Sequence, residues 1–460
     1  MWRVLEPGRQ FVDGLHIRLI CDALEKVTRG EIARLLINLP PRHGKSNLVS
    51  ILWPAWVWID QPDRRWLTAS YAQPLAERHS TDTRRVIESP EYQELFGDRY
   101  QLSLDVNQKA RYETTHGGGR IATSVGGGAT GEGGDFLIVD DPHKIEDAGS
   151  RTALEATVEC FDFTLSTRLN PGTKNAIVVV SQRVHQRDLA GHLIEQGDWT
   201  HLCLPAENDP THPYRSELDE RTEPDQPLWP EMYGPATLES LKATLGSYGA
   251  AAQLQQLPAP SGGGLLLRSW WKWYETPPAR FDEVIISVDL SFSGGMHADF
   301  TVAQVWGKIE SDFYLLHQER ERAAFTEQML LIERASEWVA RELNYSHNPG
   351  IYIEHAANAD AMFQPLRNRI PNVILIRPKG SKQTRAIAVS PTIEAGHVHL
   401  RGAPNAYNTT CDKTRTPLWT QQFVEECAAF PTAPHDDQVD ALTQAIQRLN
   451  NPGPRVRALG

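Results

Sequence analysis

Two groups of residues in this 460-residue chain have the types and the spacing to do chemistry. The first begins at "LPPRHGKS" (39–46), where Gly44-Lys45-Ser46 forms the back half of a phosphate-binding loop. Such a loop works because backbone N–H groups at a strand-to-helix turn surround anionic oxygens, a lysine neutralises charge and a hydroxyl holds Mg²⁺. Gly44 permits close approach, Lys45 carries the charge, and Ser46 supplies the hydroxyl at the start of a helix. Arg42 and His43 lie within the loop, Arg42 in reach of a γ-phosphate, while Leu39 stands where the usual motif has its first glycine. Further on, in "DFLIVDDPHK" (135–144), four apolar residues lead to Asp140 and Asp141. One carboxylate at such a strand end supports Mg²⁺ and the next polarises an attacking water. By itself the acid pair reads better as the cap of a buried strand before Pro142; with the loop it completes an ATP site.

The second group is acidic. Asp289 lies inside the apolar run "IISVDLSF" and Glu354 inside "GIYIEHAA", where a carboxylate is costly unless it meets a metal or a partner. Asp436, Asp437 and Asp440 open the last helical stretch, and the i,i+3 pair Asp437 and Asp440 shares a face. Asp299 begins the strand after Asp289. One acid from a first strand, one from a middle strand and a pair from a late helix make the ligand plan of a two-metal phosphodiesterase. Two Mg²⁺ or Mn²⁺ ions roughly 3.5–4 Å apart activate water and stabilise the leaving oxygen, and such hard cations prefer carboxylates. The helix aspartates also have a simpler role open to them, as N-terminal caps.

Basic residues accompany both groups. "RPKGSKQTR" carries Arg377, Lys379, Lys382 and Arg385, a pattern for a loop gripping a DNA backbone or for a plain solvated loop. Arg120, in a segment of nine glycines (116–134), is a candidate for reaching a neighbouring subunit's nucleotide, or is an ordinary surface arginine. Ser181, Gln182 and Arg183 end a strand where a γ-phosphate sensor would lie. His397 and His399 alternate on a strand face and read as ordinary strand residues.

The elements that must position these groups follow from periodicity. Strands are expected at 34–40, 64–72, in "RIATSV" (120–125), before Asp140 and at 175–183, with helices at 11–28, 46–59 (bent at Pro54), 76–89, 187–196 and 237–256. This alternation indicates an α/β domain with a mostly parallel sheet. "LPAPSGGG" (257–264) is the clearest linker signal. Beyond it strands are expected at 282–292, 299–309, 350–357 and 372–380, and helices at 325–343 and 436–449. The reading is domains at 1–255 and 276–450, a linker at 256–275 and a frayed tail at 451–460.

Hydrophobic content of 40% and charged content of 23% describe a globular chain long enough for two or three domains. No run approaches the roughly 20 apolar residues of a membrane span, and the N-terminus lacks a signal-peptide layout. Five scattered cysteines with no C-x-x-C argue for a reducing cytosol, against disulfides and against a structural zinc. A net charge of −12 counts against a simple DNA-coating module but leaves room for an enzyme with local basic loops.

In order along nearly the whole chain, "LPPRHGKS", "GATGEGGDFLIVDDPHK", "VVVSQRVHQRDLAGHL", "AAQLQQLPAP", "IISVDLSF", "IYIEHAANAD", "KGSKQTRA" and "HDDQVDALTQA" resemble the large terminase subunit of tailed double-stranded DNA bacteriophages or prophages. The resemblance implies a P-loop (ASCE/RecA-like) packaging ATPase followed by an RNase H-like (RuvC-like) nuclease. It implies a ring, commonly pentameric, on the procapsid portal in the bacterial host cytoplasm, served by a small terminase subunit. Carried over by residue, Arg42, Lys45 and Ser46 would bind ATP, Asp140 its Mg²⁺, and Asp141 would be the hydrolytic base. Ser181 to Arg183 would couple hydrolysis to movement; Asp289, Glu354 and Asp437 would hold nuclease metals, helped by Asp440 and Asp299.

Two departures stand out. Glu132 replaces a usual basic residue, leaving the trans-acting arginine open, and "SQRVHQRDL" replaces a more usual Thr-Arg-Trp-His. Relatives often have more sequence before the first helix, so the chain could begin late and lack part of an adenine pocket. Two other readings stay open: a helicase or translocase with a nuclease domain, disfavoured because no second nucleotide motif follows residue 265, and a nuclease with a non-hydrolysing nucleotide domain as scaffold.

Overall fold

The computed structural model describes residues 1–451, apart from 128–130, 172–173, 259–263, 291–299, 344, 346–347, 355–366, 368, 371, 379, 407–409 and 432–434. Asp299, Lys379 and all but the first residue of the 451–460 tail therefore lie outside the described residues. The chain divides into two compact units, 1–260 and 261–460.

The first unit is built on strands β1 (Arg34–Asn38), β2 (Arg65–Ser70), β3 (Leu102–Asn107), β4 (Arg111–Thr114), β5 (Gly119–Ser124), β6 (Phe136–Asp140), β7 (Ala176–Ser181) and β8 (Thr200–Cys203). They form one sheet in the order β3-β4-β5-β2-β6-β7-β1-β8. Every pair from β5 to β8 is parallel, and only the β3–β4–β5 edge runs antiparallel. β6 and β7 are buried along their whole length, as unbroken apolar runs demand of strands covered on both faces. The strand that leads into the loop (β1) and the strand that carries the acid pair (β6) are thus separated by β7 alone. This is the ASCE/RecA-like P-loop arrangement.

Helix Leu15–Arg29 buries Ile17, Ile20, Leu24 and Val27 on one face and stops at Gly30, whose φ of 82° lets the chain turn out. After the loop the expected single helix is modified. A wide π turn over Asn47–Leu52 precedes an α-helical stretch Trp53–Val57. Pro54 has no N–H to return to Ser50, and the widened turn absorbs that gap. Thr83 Oγ1 lies 3.4 Å from Ser50 O and 3.0 Å from Ile51 O, serving carbonyls at this turn.

The second unit carries β9 (Lys272–Tyr274), β10 (Glu283–Asp289), β11 (Thr301–Ile309), β12 (Asp312–Glu321), β13 (Gly350–Glu354), β14 (Val373–Ile376) and β15 (Val398–Arg401). Their order is β14-β13-β10-β11-β12-β15-β9. β10, β11 and β12 form an antiparallel meander, with β13 and β14 added parallel on the β10 side. The last helix, Asp437–Asn450, packs across β10 and β11 through Val439, Leu442, Ala445, Ile446 and Leu449. The expected linker extends too far on its C-terminal side, because Leu266 and Trp271 are buried in this second core.

Candidate active sites

In the first unit the loop turns through left-handed backbone at Arg42 (φ 61°) and Gly44 (φ 78°). Leu39 need not be glycine: it is fully buried and its N–H donates to Ser181 O at 3.2 Å, so it prolongs β1 and the turn falls later. The loop then meets the end of β6. Ser46 Oγ donates to Asp140 Oδ1 at 3.0 Å, across 94 residues of sequence. Ser50 Oγ donates to Asp140 Oδ2 at 2.6 Å, and Lys45 Nζ sits 3.2 Å from Asp141 Oδ2. Burial pushes both carboxyls above the usual range, against the pull of Ser50, Lys45 and Ser46 on Asp140 and of Lys45 on Asp141. Asp141 is held by Gln182, whose N–H donates to Oδ1 at 3.2 Å. An all-oxygen pair opposite a hydroxyl and an ammonium suits Mg²⁺ and a triphosphate.

Two contributors are absent from the sequence reading. Ser50 lies one helical turn beyond Ser46, a spacing that could have flagged it. His79 Nδ1 lies 3.5 Å from Asp140 Oδ2, and burial, then Arg120, lowers its pKa to about 4, so it faces the acid as a neutral ring. His43 is buried and stacks on Tyr233 with ring centres 4.5 Å apart. Its Nδ1 faces Pro41 O at 2.9 Å, so it shapes the loop from behind.

One arginine candidate needs correction and the other is placed in a brace. Arg120 is fully buried, its Nη1 donating to Thr83 Oγ1 at 2.6 Å and its Nη2 to Thr68 Oγ1 at 3.4 Å, so it does not reach out of the subunit. It supports instead the helix that carries His79 and Thr83. Arg183 is 3% exposed and grips both Asp188 oxygens through Nε at 3.0 and 3.1 Å. Asp188 caps the helix Leu189–Gln196 and also accepts from Val184 and Gly191 N–H. Arg183 is thus a fixed brace of its segment and does not point to solvent.

In the second unit the register does the positioning. β10 and β13 are parallel with Val288 opposite Ile353, so the next residues, Asp289 and Glu354, end adjacent strands side by side. The last helix brings Asp437 and Asp440, both nearly buried, to the same end. Polar fasteners fix it there: Ser287 Oγ donates to Ala441 O at 2.7 Å, and Gln444 Nε2 reaches Ser287 Oγ at 2.9 Å and Tyr352 O at 2.8 Å. Phe300 N–H donates to Asp437 Oδ2 at 3.4 Å. Burial, and then the charges of Asp440, Glu354 and Asp437, drive the Asp289 carboxyl well above its normal range. That coupling places the four acids in one field.

Lys382 and Arg385 are also placed differently from expectation. They lie in the first turn of a helix, Lys382–Glu394, capped by Ser381 Oγ, where a loop is expected. Lys382 Nζ sits 2.5 Å from Asp436 Oδ1 and 2.6 Å from Asp440 Oδ2. Arg385 bridges Asp440 Oδ1 at 2.5 Å and Glu354 Oε2 at 3.3 Å. Among the described residues no three His, Cys, Asp or Glu side chains stand close enough to hold a metal as they are. The donor set nevertheless fits hard divalent cations: it is all oxygen, it is too acidic to be buried uncompensated, and two protein cations already engage it. His397 pairs with Asp312 at 2.8 Å, away from these acids.

The folds and sites define a class: a P-loop ATPase fold followed by an RNase H-like nuclease fold in one chain. Residues 286–449 match the family model described as "Terminase RNaseH-like domain". The whole chain has the fold of a bacteriophage large terminase. It is similar to the large terminase of the thermophilic bacteriophage D6E, with TM-score 0.54, 11% identity and coverage of 93% of this chain and 98% of that one. The D6E protein in complex with ADP gives 0.52, 11%, 93% and 98%. Another D6E structure gives 0.51, 12%, 93% and 99%. Among curated proteins none matches the chain. No helix among the described residues is long and apolar enough to cross a membrane.

Proposed function

We propose that the chain is an ATP-driven DNA-packaging motor with an attached metal-dependent endonuclease. Residues 1–260 hydrolyse ATP and translocate double-stranded viral DNA through a portal into a procapsid. Residues 261–460 cut concatemeric DNA when packaging starts and ends. The observation that carries the reading is the meeting of Lys45 and Ser46 with the consecutive acids Asp141 and Asp140, in a chain whose second unit groups Asp289, Glu354, Asp437 and Asp440 at one sheet end.

In the motor, Arg42, Gly44, Lys45 and Ser46 hold the triphosphate, His43 supports their loop from behind, and Asp141 accepts a proton from the attacking water. Mg²⁺ bound by Ser46 and Asp140 would offset phosphate charge. That the similar D6E protein is in complex with ADP supports nucleotide binding by this chain. Residues 181–183 link the acid pair to the braced segment that follows. In the nuclease, Asp289, Glu354 and Asp437, with Asp440 and Asp299 as helpers, hold two Mg²⁺ or Mn²⁺ ions, which would supply Lewis acidity for phosphodiester cleavage.

The working form is a homo-oligomeric ring, taken as a pentamer, docked on the portal in the bacterial cytoplasm with a small terminase subunit supplying site recognition. With Arg120 buried, the trans-acting cation of such a ring is taken to be a different residue. A packaging assay tests the function: purified procapsids, small subunit and wild-type chain should render DNA resistant to DNase in an ATP-dependent way, and Lys45→Ala should not. ATP turnover with no protected DNA would contradict the motor reading.

A further inference from the structure

Lys382 and Arg385 engage the same acids with different side chains and different freedom. Arg385 is 5% exposed, and its planar guanidinium reaches Glu354 and Asp440 together. Lys382 is 47% exposed and holds Asp436 and Asp440 through a single ammonium on a four-carbon stem. A lysine is a re-aimable point charge, whereas a buried forked guanidinium is fixed by its geometry. Lys382 also occupies the first residue of its helix, where the helix dipole disfavours a cation and no acid of the same turn compensates. Its place is held by the carboxylates of the last helix. Asp440 is shared: one oxygen goes to Lys382, the other to Arg385.

We propose that Lys382 is a displaceable counter-ion of the nuclease acids: its ammonium, seated between Asp436 and Asp440, neutralises Asp440 until a divalent cation binds the acid cluster, while Arg385 stays as a permanent brace between Glu354 and Asp440. This deepens the nuclease reading and rests on it. Metal binding must break two short charge-assisted contacts, so the cluster binds divalent ions more weakly than its four acids would alone. The nuclease is thereby held back at low metal, and a lysine leaving its seat enters solvent beside the acids, where a substrate phosphate would pass.

The test is Mn²⁺ binding to the full chain without nucleotide, followed by free-Mn²⁺ electron paramagnetic resonance and by melting temperature in EDTA and in Mn²⁺. Lys382→Met should bind Mn²⁺ about tenfold more tightly than wild type. It should also melt lower in EDTA and gain more on Mn²⁺ addition. Lys382→Arg, which keeps the charge but as a less readily displaced fork, should bind Mn²⁺ no more tightly than wild type. Asp289→Asn should weaken binding in either background. Equal or weaker Mn²⁺ affinity in Lys382→Met, with binding still dependent on Asp289, would overturn the role of Lys382 and leave the metal site standing. Binding indifferent to Asp289→Asn would overturn the metal site and this proposal with it. Should Lys382→Met fold poorly, Lys382→Gln carries the same comparison.

Discussion

Lys45 Nζ lies 3.2 Å from Asp141 Oδ2, so the loop cation and the second acid of the pair hold each other. Under the proposed function an incoming triphosphate would draw Lys45 away and free the carboxylate proposed as base. Binding and activation of the base are then one event. Lys45→Ala is expected to lower ATP turnover by about 100-fold or more. Asp141→Asn should lose about 10²- to 10⁴-fold in turnover while nucleotide affinity changes little. Phosphate release and equilibrium nucleotide binding, measured on both variants, separate the two roles. Wild-type turnover in Asp141→Asn would remove it as base.

Arg120 lies wholly inside the subunit, between Thr83 and Thr68. Arg120→Ala should therefore destabilise the first unit by about 2–4 kcal/mol, through a cavity and the loss of the guanidinium hydrogen bonds to Thr83 and Thr68. Mixing Arg120→Ala with Lys45→Ala subunits gives a second check. A trans-acting arginine would be supplied by the Lys45→Ala partner and restore turnover; the buried position predicts no rescue.

Asp188 lies under Arg183 and several N–H groups. Burial pushes its carboxyl up, but Arg183, His143 and the amides of Val184 and Gly191 outweigh that and leave its pKa below the usual value. A carboxylate with a depressed folded-state pKa gives stability that is present above its unfolded pKa and lost as pH falls through the folded one. Asp188→Asn should cost about 3–5 kcal/mol near neutral pH. The difference from wild type should shrink as pH falls below about 4. Denaturant melts at a series of pH values measure it, and a pH-independent difference would refute the charge pairing.

Gln444 ties the last helix to both acid-bearing strands, through Ser287 of β10 and the Tyr352 carbonyl of β13. Gln444→Ala should cost about 1–3 kcal/mol in the second unit. Because Asp437 and Asp440 ride on that helix, Mn²⁺ affinity should fall as well, without change in ATP turnover. Unaltered Mn²⁺ affinity would show that the helix is positioned by its apolar face alone.

Much of this frame is legible in the sequence, for physical reasons that differ from place to place. β1, β6 and β7 are unbroken apolar runs that end in polar residues, so both strand and site stand out. Asp289 and Glu354 are conspicuous because a carboxylate inside such a run needs a partner. The helix Lys382–Glu394 is hidden because its buried face includes Arg385 and Ser390, so no apolar stripe marks it and its charges look like a loop. The β3–β4 hairpin is hidden too, since most of its residues are only partly buried or exposed and carry little alternation. Nothing local distinguishes Arg120 from a surface arginine; its partners come from β2 and from the helix Gln73–Ile87. Leu39 shows the converse: it departs from the glycine pattern, yet the backbone accommodates it by turning at Arg42 and Gly44.

The central claim is that one chain holds two independent phosphate-handling centres. The most direct measurement is Mn²⁺-dependent plasmid cleavage and ATP turnover, both recorded on Asp289→Asn and on Lys45→Ala. The account predicts that Asp289→Asn abolishes cutting and keeps turnover, while Lys45→Ala abolishes turnover and keeps cutting. Cutting at the wild-type rate by Asp289→Asn would contradict it.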